Sequence, residues 1–160
     1  MIALLSDTHD NVGATARAIE LLSRASPEIY LHLGDIGSPR LVSLFRGLPT
    51  RFIWGNNDTD AARIAEAVAG IGASIGECFE IDGALGRIFA AHGHTAAVRD
   101  AARSGRYVAV IFGHSHESLN ELRGGVRFIN PGALYRAREY SCALLDPDTL
   151  RVDFVGVWKG

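Results

Sequence analysis

Cysteine is nearly missing from this chain. Cys78 and Cys142 are the only two in 160 residues, and no C-x-x-C occurs, which excludes a disulfide framework and a thiolate metal site. Two such residues are expected to be buried, reduced thiols, as in a cytoplasmic protein. Lysine occurs once, at Lys159; arginine supplies the remaining basic charge, a coding bias without functional weight. Neither sign of charge is in excess: 16 basic residues face 18 acidic ones for a net charge of −2, which argues against a strong nucleic-acid surface. No stretch approaches the ~20 apolar residues of a membrane span. The opening MIALLSDTHD is apolar for only a few residues before it turns acidic, unlike a signal peptide. Hydrophobic residues make up 48 %, enough for a real core, and the length fits one domain over residues 1–160.

Two kinds of segment alternate. IALLS (2–6), EIYLHLG (28–34), RFIWG (51–55), RIFAA (87–91) and YVAVIFG (107–113) are short apolar runs, read as strands buried on both faces. VGATARAIELLSRA (12–25) is amphipathic, with Ala16, Ile19, Leu22 and Ala25 placed on one stripe. PRLVSLFRG (39–47), DAARIAEAVAG (60–70) and TAAVRDAARSG (95–105) repeat the helical pattern. The alternation predicts an α/β fold. The last third reads as strands without intervening helices: ESLNELRG, GVRFINPG, EYSCALLD and TLRVDFVGVW. ELRGGVRF predicts a hairpin turning at Gly-Gly, and DPDT another turn. GIGASIG (70–76) lacks G-x-G-x-x-G spacing and follows a helical pattern rather than a strand, so it reads as a helix stop and turn.

The chemistry gathers where the apolar runs end. The first leads into Asp7 and His9, the second into Asp35, the third into Asn56, Asn57 and Asp58. The fourth leads into His92 and His94, the fifth into His114 and His116. Strand ends are where open α/β sheets place their sites. Any one of these residues has a plainer use, as an Asx cap or a core histidine; agreement at five strand ends does not. Residues two apart in an extended segment point to the same side, so Asp7 pairs with His9 and His114 with His116. Imidazole and carboxylate donors without thiolate suit Mn, Fe, Zn, Co or Ni. The donors exceed what one tetrahedral ion uses, and two ions about 3.5–4 Å apart, bridged by a carboxylate, would use them.

SDTHDN, GDI, GNND, HGH, GHSH and NPG, in that order over residues 6–132, resemble the calcineurin-like metallophosphoesterases, and most of all their small, cap-free bacterial and archaeal phosphodiesterases. The resemblance implies an α/β fold of a particular kind: a four-layer α/β/β/α sandwich with two mixed sheets, the helix-poor C-terminal strands building the second. It implies a hydrolase with two divalent ions, manganese foremost, that cleaves small phosphoesters, phosphodiesters above all, by attack of a metal-bound hydroxide. Carried over by motif, Asp7, His9 and His116 hold the first ion, Asp35 bridges, and Asn56, His92 and His114 hold the second. The choice of His92 over His94 comes from the pattern alone. Two divalent ions against Asp7 and Asp35 leave a local charge of about +2, attractive to a phosphoryl group.

The family often carries His directly after the ligand Asn, where it resembles a general acid. Here Asn57 stands, and an amide does not act as an acid at neutral pH. Either His94 supplies the proton or the metals stabilise the leaving oxygen unaided. The serine of the family's NPGS is replaced by Ala133. Asn11 is a candidate phosphate ligand or a helix cap, Asp58 a residue that orients the site, His32 a satisfied core histidine, and Arg99 and Arg103 a solvated helix face or a flank of the site. Two rivals remain. One is a non-catalytic interaction scaffold of the same fold, as in the retromer subunit that resembles these enzymes; a full ligand set argues against it. The other is a structural zinc site, which the lack of cysteine ligands disfavours. A phosphomonoesterase is the alternative within the enzyme class. The specific substrate and any assembly into a homo-oligomer are left open.

Overall fold

The computed structural model describes residues 1–158. Eleven strands and four helices follow one another: β1 (Ile2–Leu5), α1 (Val12–Ser23), β2 (Ile29–His32), α2 (Pro39–Val42) with a 3₁₀ turn at Ser43–Phe45, β3 (Thr50–Ile53), α3 (Ala61–Gly70), β4 (Ser74–Gly76), β5 (Cys78–Gly83), β6 (Gly86–Ala91), α4 (Ala97–Arg103), β7 (Ala109–Ile111), β8 (Ser118–Arg123), β9 (Val126–Pro131), β10 (Tyr140–Leu145) and β11 (Val152–Val157). They form two sheets, ordered β11-β10-β1-β2-β3-β4 and β5-β6-β7-β9-β8. In the first, β1 to β4 run parallel while β10 and β11 pair antiparallel at one side. In the second, β6, β7 and β9 are parallel, with β5 and β8 antiparallel at the edges. Both sheets are mixed, as expected.

Side-chain alternation along the short strands explains the layering. Ala3 and Leu5 point to the layer of α1, α2 and α3, where Leu22, Phe45, Phe52, Ile64 and Val68 close one core. Ile2 and Leu4 point the other way, between the sheets, with Leu31, Leu33, Ile53, Ile88, Ile111 and Ile129. Phe89, Ala91 and Val110 turn to the far face of the second sheet, under Val98 and Ala101 of α4. The result is α/β/β/α.

Three local expectations are corrected. The buried stripe of α1 is Ala14, Thr15, Ala18 and Leu22; of the expected set, Ala16 and Ala25 are exposed and only Leu22 is buried. Alanines are permitted on either face, and the small ones at 14 and 18 let the helix approach the sheet. The second sheet is made by β5 to β9, and the last hairpin, β10–β11, returns to extend the first sheet through Leu4 opposite Ala143. The GIGASIG segment does stop a helix and turn, at Gly72 with φ +74, but its SIG is the edge strand β4. The Gly-Gly hairpin is as expected: Gly124 and Gly125 have φ +57 and +84, with Arg123 opposite Val126, the double left-handed turn that suits strand twist.

Candidate metal centre

All five chemistry-bearing loops leave the same edge of the two sheets, after β1, β2, β3, β6 and β7. The first two run side by side beyond their strands. Asp7 N donates to Gly34 O (3.0 Å), His9 N to Asp35 O (2.9 Å) and Asp10 N to Ile36 O (3.0 Å). The loop after β7 is tied to the one after β6 by Gly113 N to His92 O (2.9 Å). Asp7, His9, Asp35, His114 and His116 all take positive φ, between 40° and 67°. Asp and His visit this region more readily than most residues, yet each costs of order 1–3 kcal/mol. Such strain is held by the hydrogen bonds around it, and it aims the side chains off the strand axis into one space.

Two clusters result. Asp7, His9 and His116 bring ligand atoms within 4.8 Å of one another, and so do Asp35, His92 and His114. Asp35 Oδ2 stands between them, 3.3 Å from His9 Nε2 and 3.5 Å from His92 Nε2. Asn56 joins the second cluster, its Oδ1 3.2 Å from His92 Nε2. His94 stays outside both: it is exposed, its ring 5.3 Å from His92 and 6.3 Å from His114.

The donor chemistry fits cations. Asp7 Oδ1 and His9 Nε2 are buried without a hydrogen-bond partner, an expensive state for polar atoms that an ion in the first cluster would relieve. Asp7 Oδ2 is already engaged, accepting from Ser6 Oγ (2.5 Å) and His114 N (2.9 Å), so Oδ1 is the free ligand atom. His92 Nδ1 donates to Leu33 O at 2.7 Å, which leaves the Nε2 lone pair directed at Asn56 Oδ1 and Asp35 Oδ2. Three acceptors converging without a donor need a proton or a cation between them. Although burial works against it, Asp35, Asp7 and Leu33 O raise the pKa of His92, favouring a proton there in the absence of a metal. Burial pulls His9 down against Asp35 and Asp7, and pushes Asp7 up against Ser6, His92 and His116.

Surrounding residues hold the ligands in place. Asp58 accepts from Asp35 N (3.1 Å), Ile36 N (2.7 Å), Gly37 N (3.1 Å) and Gly55 N (2.8 Å), clasping the loops after β2 and β3. Asn57 donates from its backbone N to Asp35 Oδ1 (2.9 Å) and from Nδ2 to Oδ2 (2.8 Å). The amide that stands where the family often has an acid is therefore turned onto the Asp35 carboxylate. Burial opposes ionisation of Asp35, but these bonds and His92 hold its pKa well below the carboxylate range. Asn11 caps α1, its Oδ1 accepting from Ala14 N (3.3 Å), and its Nδ2 donates to Leu134 O (2.7 Å). Arg99 and Arg103 are exposed on α4 and line a groove on the outer face of the second sheet.

Two supports were not legible beforehand. Ser6 orients Asp7; its place at the head of SDTHDN was its signal. Asn130 donates from Nδ2 to Gly113 O (2.9 Å) and Ser115 Oγ (3.1 Å), fixing the His114–His116 loop; the NPG motif was its signal.

Gly55 is a point of close approach. A Cβ there would lie 2.1 Å from Asp35 N and 2.2 Å from its Oδ1. Gly55→Ala should therefore displace the bridging carboxylate, costing about 1–3 kcal/mol as overpacking does and lowering metal affinity. Urea unfolding together with metal titration checks this, and unchanged affinity would contradict it.

His32 is the satisfied core histidine expected. It is fully buried between Phe45 and Phe52, ring centroids 5.9 and 5.6 Å away. Its Nδ1 accepts from Gly34 N (3.3 Å), and its Nε2 contacts Thr8 Oγ1 (2.9 Å). Burial lowers its pKa from 6.5 to about 3. The folded state thus refuses a proton that the unfolded chain accepts, so this stability is present above pH 6.5 and is lost as pH falls toward 3. The slope is at most about 1.4 kcal/mol per pH unit. The metal-free His32→Leu variant should lose this part of the slope when urea stability at pH 7 and pH 5 is compared; an unchanged slope would contradict it.

The comparisons agree with the geometry. The calcineurin-like phosphoesterase superfamily domain matches residues 1–150. A phosphodiesterase of Methanocaldococcus jannaschii is 33 % identical over 136 residues, 82 % of each chain. The solved structure of an archaeal phosphodiesterase superposes with a TM-score of 0.88 at 28 % identity, covering 98 % of this chain and 99 % of the other. Vps29 of Chaetomium thermophilum shares the fold at a TM-score of 0.72 and 16 % identity, over 98 % and 94 % of the two chains. With Asp, Asn and His gathered in order at five strand ends and a family match over residues 1–150, this chain belongs to the calcineurin-like phosphoesterase superfamily.

Proposed function

We propose that the protein is a dinuclear, metal-dependent phosphodiesterase. The observation that carries this is the pair of ligand clusters with Asp35 between them. Asp7, His9 and His116 would hold one ion, Asn56, His92 and His114 the other, and Asp35 both. Divalent ions held there would supply Lewis acidity toward water and toward the phosphoryl oxygens. The chain's own residues do the rest. Asn57 and Asp58 keep Asp35 and its loop in register, and Leu33 O sets the tautomer of His92. His94, exposed beside His92 and His114, is the residue placed to hand a proton to the leaving oxygen; Asn57, spent on Asp35, is not.

Manganese is the metal we favour, since the donors are imidazole, carboxylate and amide oxygen without sulfur; iron, zinc, nickel and cobalt share that preference. Cys142 is buried as expected, whereas Cys78 is exposed; both are free thiols, which fits a cytoplasmic setting. Among the described residues no helix is long and apolar enough to cross a membrane. The scaffold reading is weaker because the ligand positions are complete and their atoms converge.

The test is activity of the metal-reconstituted protein against phosphomonoesters, linear phosphodiesters and cyclic nucleotides. Preferential hydrolysis of diesters is expected. No hydrolysis of any of them with both ions bound would favour the scaffold, and a preference for monoesters the phosphomonoesterase.

A further inference from the structure

Beside the first cluster the centre opens into a groove of about 580 Å³ that includes His116. Arg136 and Arg138 stand in its wall, on the loop that follows the NPG motif. That loop is bound to the metal centre. Leu134 N donates to Asp7 O (3.3 Å), and Asn11 Nδ2 donates to Leu134 O (2.7 Å). The Tyr135 ring lies 4.9 Å from the ring of His9, and the Arg136 guanidinium carbon lies 5.1 Å over Tyr135. With His116 5.4 Å from His9, the four side chains form one continuous row of tilted ring contacts that ends at the Arg136 guanidinium.

Arg136 takes φ +46, the left-handed region shared by five ligand residues. Arginine has no short polar side chain to ease that conformation, and strain of this kind gathers at functional sites. Arg136 and Arg138 form no ion pair among the described residues, a state they share with Arg40, Arg46, Arg51, Arg103 and Arg127; what sets Arg136 apart is its place over Tyr135, whose ring meets that of His9. Glu117 and Glu139 line the same groove without pairing with either arginine. A guanidinium held by an aromatic face, paired with neither Glu117 nor Glu139 and set beside a centre that two divalent ions would make cationic, is matched to an anion, and its planar fork to phosphate.

We propose that Arg136, supported by Arg138, binds a second phosphate next to the scissile one, so that the preferred substrates are phosphodiesters carrying a neighbouring phosphate. This deepens the phosphodiesterase reading and rests on it. Tyr135 positions the guanidinium, and the reacting phosphorus stays at the metal clusters.

The test compares Mn²⁺-loaded wild type, Arg136→Gly and Arg136→Lys. Glycine suits the left-handed backbone and so removes the guanidinium without adding strain. Diester cleavage of the thymidine dinucleotide TpT and of its 5′-phosphorylated form pTpT is followed by chromatography. Wild type should favour pTpT by about tenfold or more in kcat/KM, as a charge-assisted bidentate contact allows. Arg136→Gly should bring the ratio toward one, and Arg136→Lys should restore part of it. A ratio near one in wild type, or one unmoved by Arg136→Gly, overturns the proposal; a structural role would lower both rates together. Calorimetric binding of pyrophosphate and orthophosphate to the same loaded proteins separates this from the activity itself. Arg136→Gly should weaken pyrophosphate about tenfold and orthophosphate far less, and equal losses would overturn the proposal. Absence of bis(p-nitrophenyl) phosphate hydrolysis would instead sink the phosphodiesterase reading, with the pyrophosphate comparison still deciding whether a second-phosphate site exists.

Discussion

Asp35→Ala is expected to lower kcat/KM by on the order of 10³-fold or more, because it removes the one group placed to touch both ions. Asp35 Oδ2 lies within 3.5 Å of a histidine from each cluster, so its loss weakens both sites at once. It also strips Asn57 of both acceptors, and the loop after β3 loses its anchor. Asp35→Asn separates these effects: the isosteric amide keeps an acceptor for Asn57 N but loses the negative charge that a pair of cations needs. Both variants should show substoichiometric metal by mass spectrometry and a matching loss of turnover. A normal rate in Asp35→Ala would refute the assignment of the bridge.

The second large effect concerns the leaving group. General acid help is worth roughly 10²–10⁴-fold, most where the leaving oxygen is strongly basic. Asn57 faces Asp35, and His94, exposed beside His92 and His114, is the residue proposed to supply that proton. Burial, followed by His92 and His114, lowers its pKa. Its imidazolium is therefore a stronger acid than an unperturbed one. His94→Ala should leave metal content intact, reduce turnover of alkyl phosphodiesters by 10²-fold or more, and spare aryl phosphodiesters, whose leaving group departs unaided. Asn57→His should partly restore the alkyl rate in the His94→Ala background, with metal content measured in parallel because Asn57 also steadies Asp35. Lost metal in His94→Ala, or equal losses for aryl and alkyl substrates, would remove His94 from this role.

Much of the centre was readable because period-two strands and short loops leave little freedom. Once the strands ending before Asp7, Asp35, Asn56, His92 and His114 are recognised, a parallel arrangement puts their ends at one edge. The distinction of His92 from His94 needed the family pattern, since both follow the same strand; the structure buries the first and exposes the second. The left-handed backbone of five ligand residues was not legible, since it depends on hydrogen bonds between loops distant in sequence. The buried face of α1 was misplaced because alanine satisfies either face. The return of β10 and β11 to the first sheet was missed because antiparallel strands carry no local mark of the sheet they join. Arg136 gave no signal at all: its setting arises from the row of rings of His116, His9 and Tyr135, which come from three separate loops.

The most direct measurement is anomalous scattering from crystals grown with Mn²⁺, collected at the manganese edge. The account predicts two peaks about 3.5–4 Å apart, one within coordination reach of Asp7, His9 and His116, the other of Asn56, His92 and His114, with Asp35 touching both. Two peaks too far apart to share Asp35, or no peak beside Asp35 in excess Mn²⁺, would contradict it.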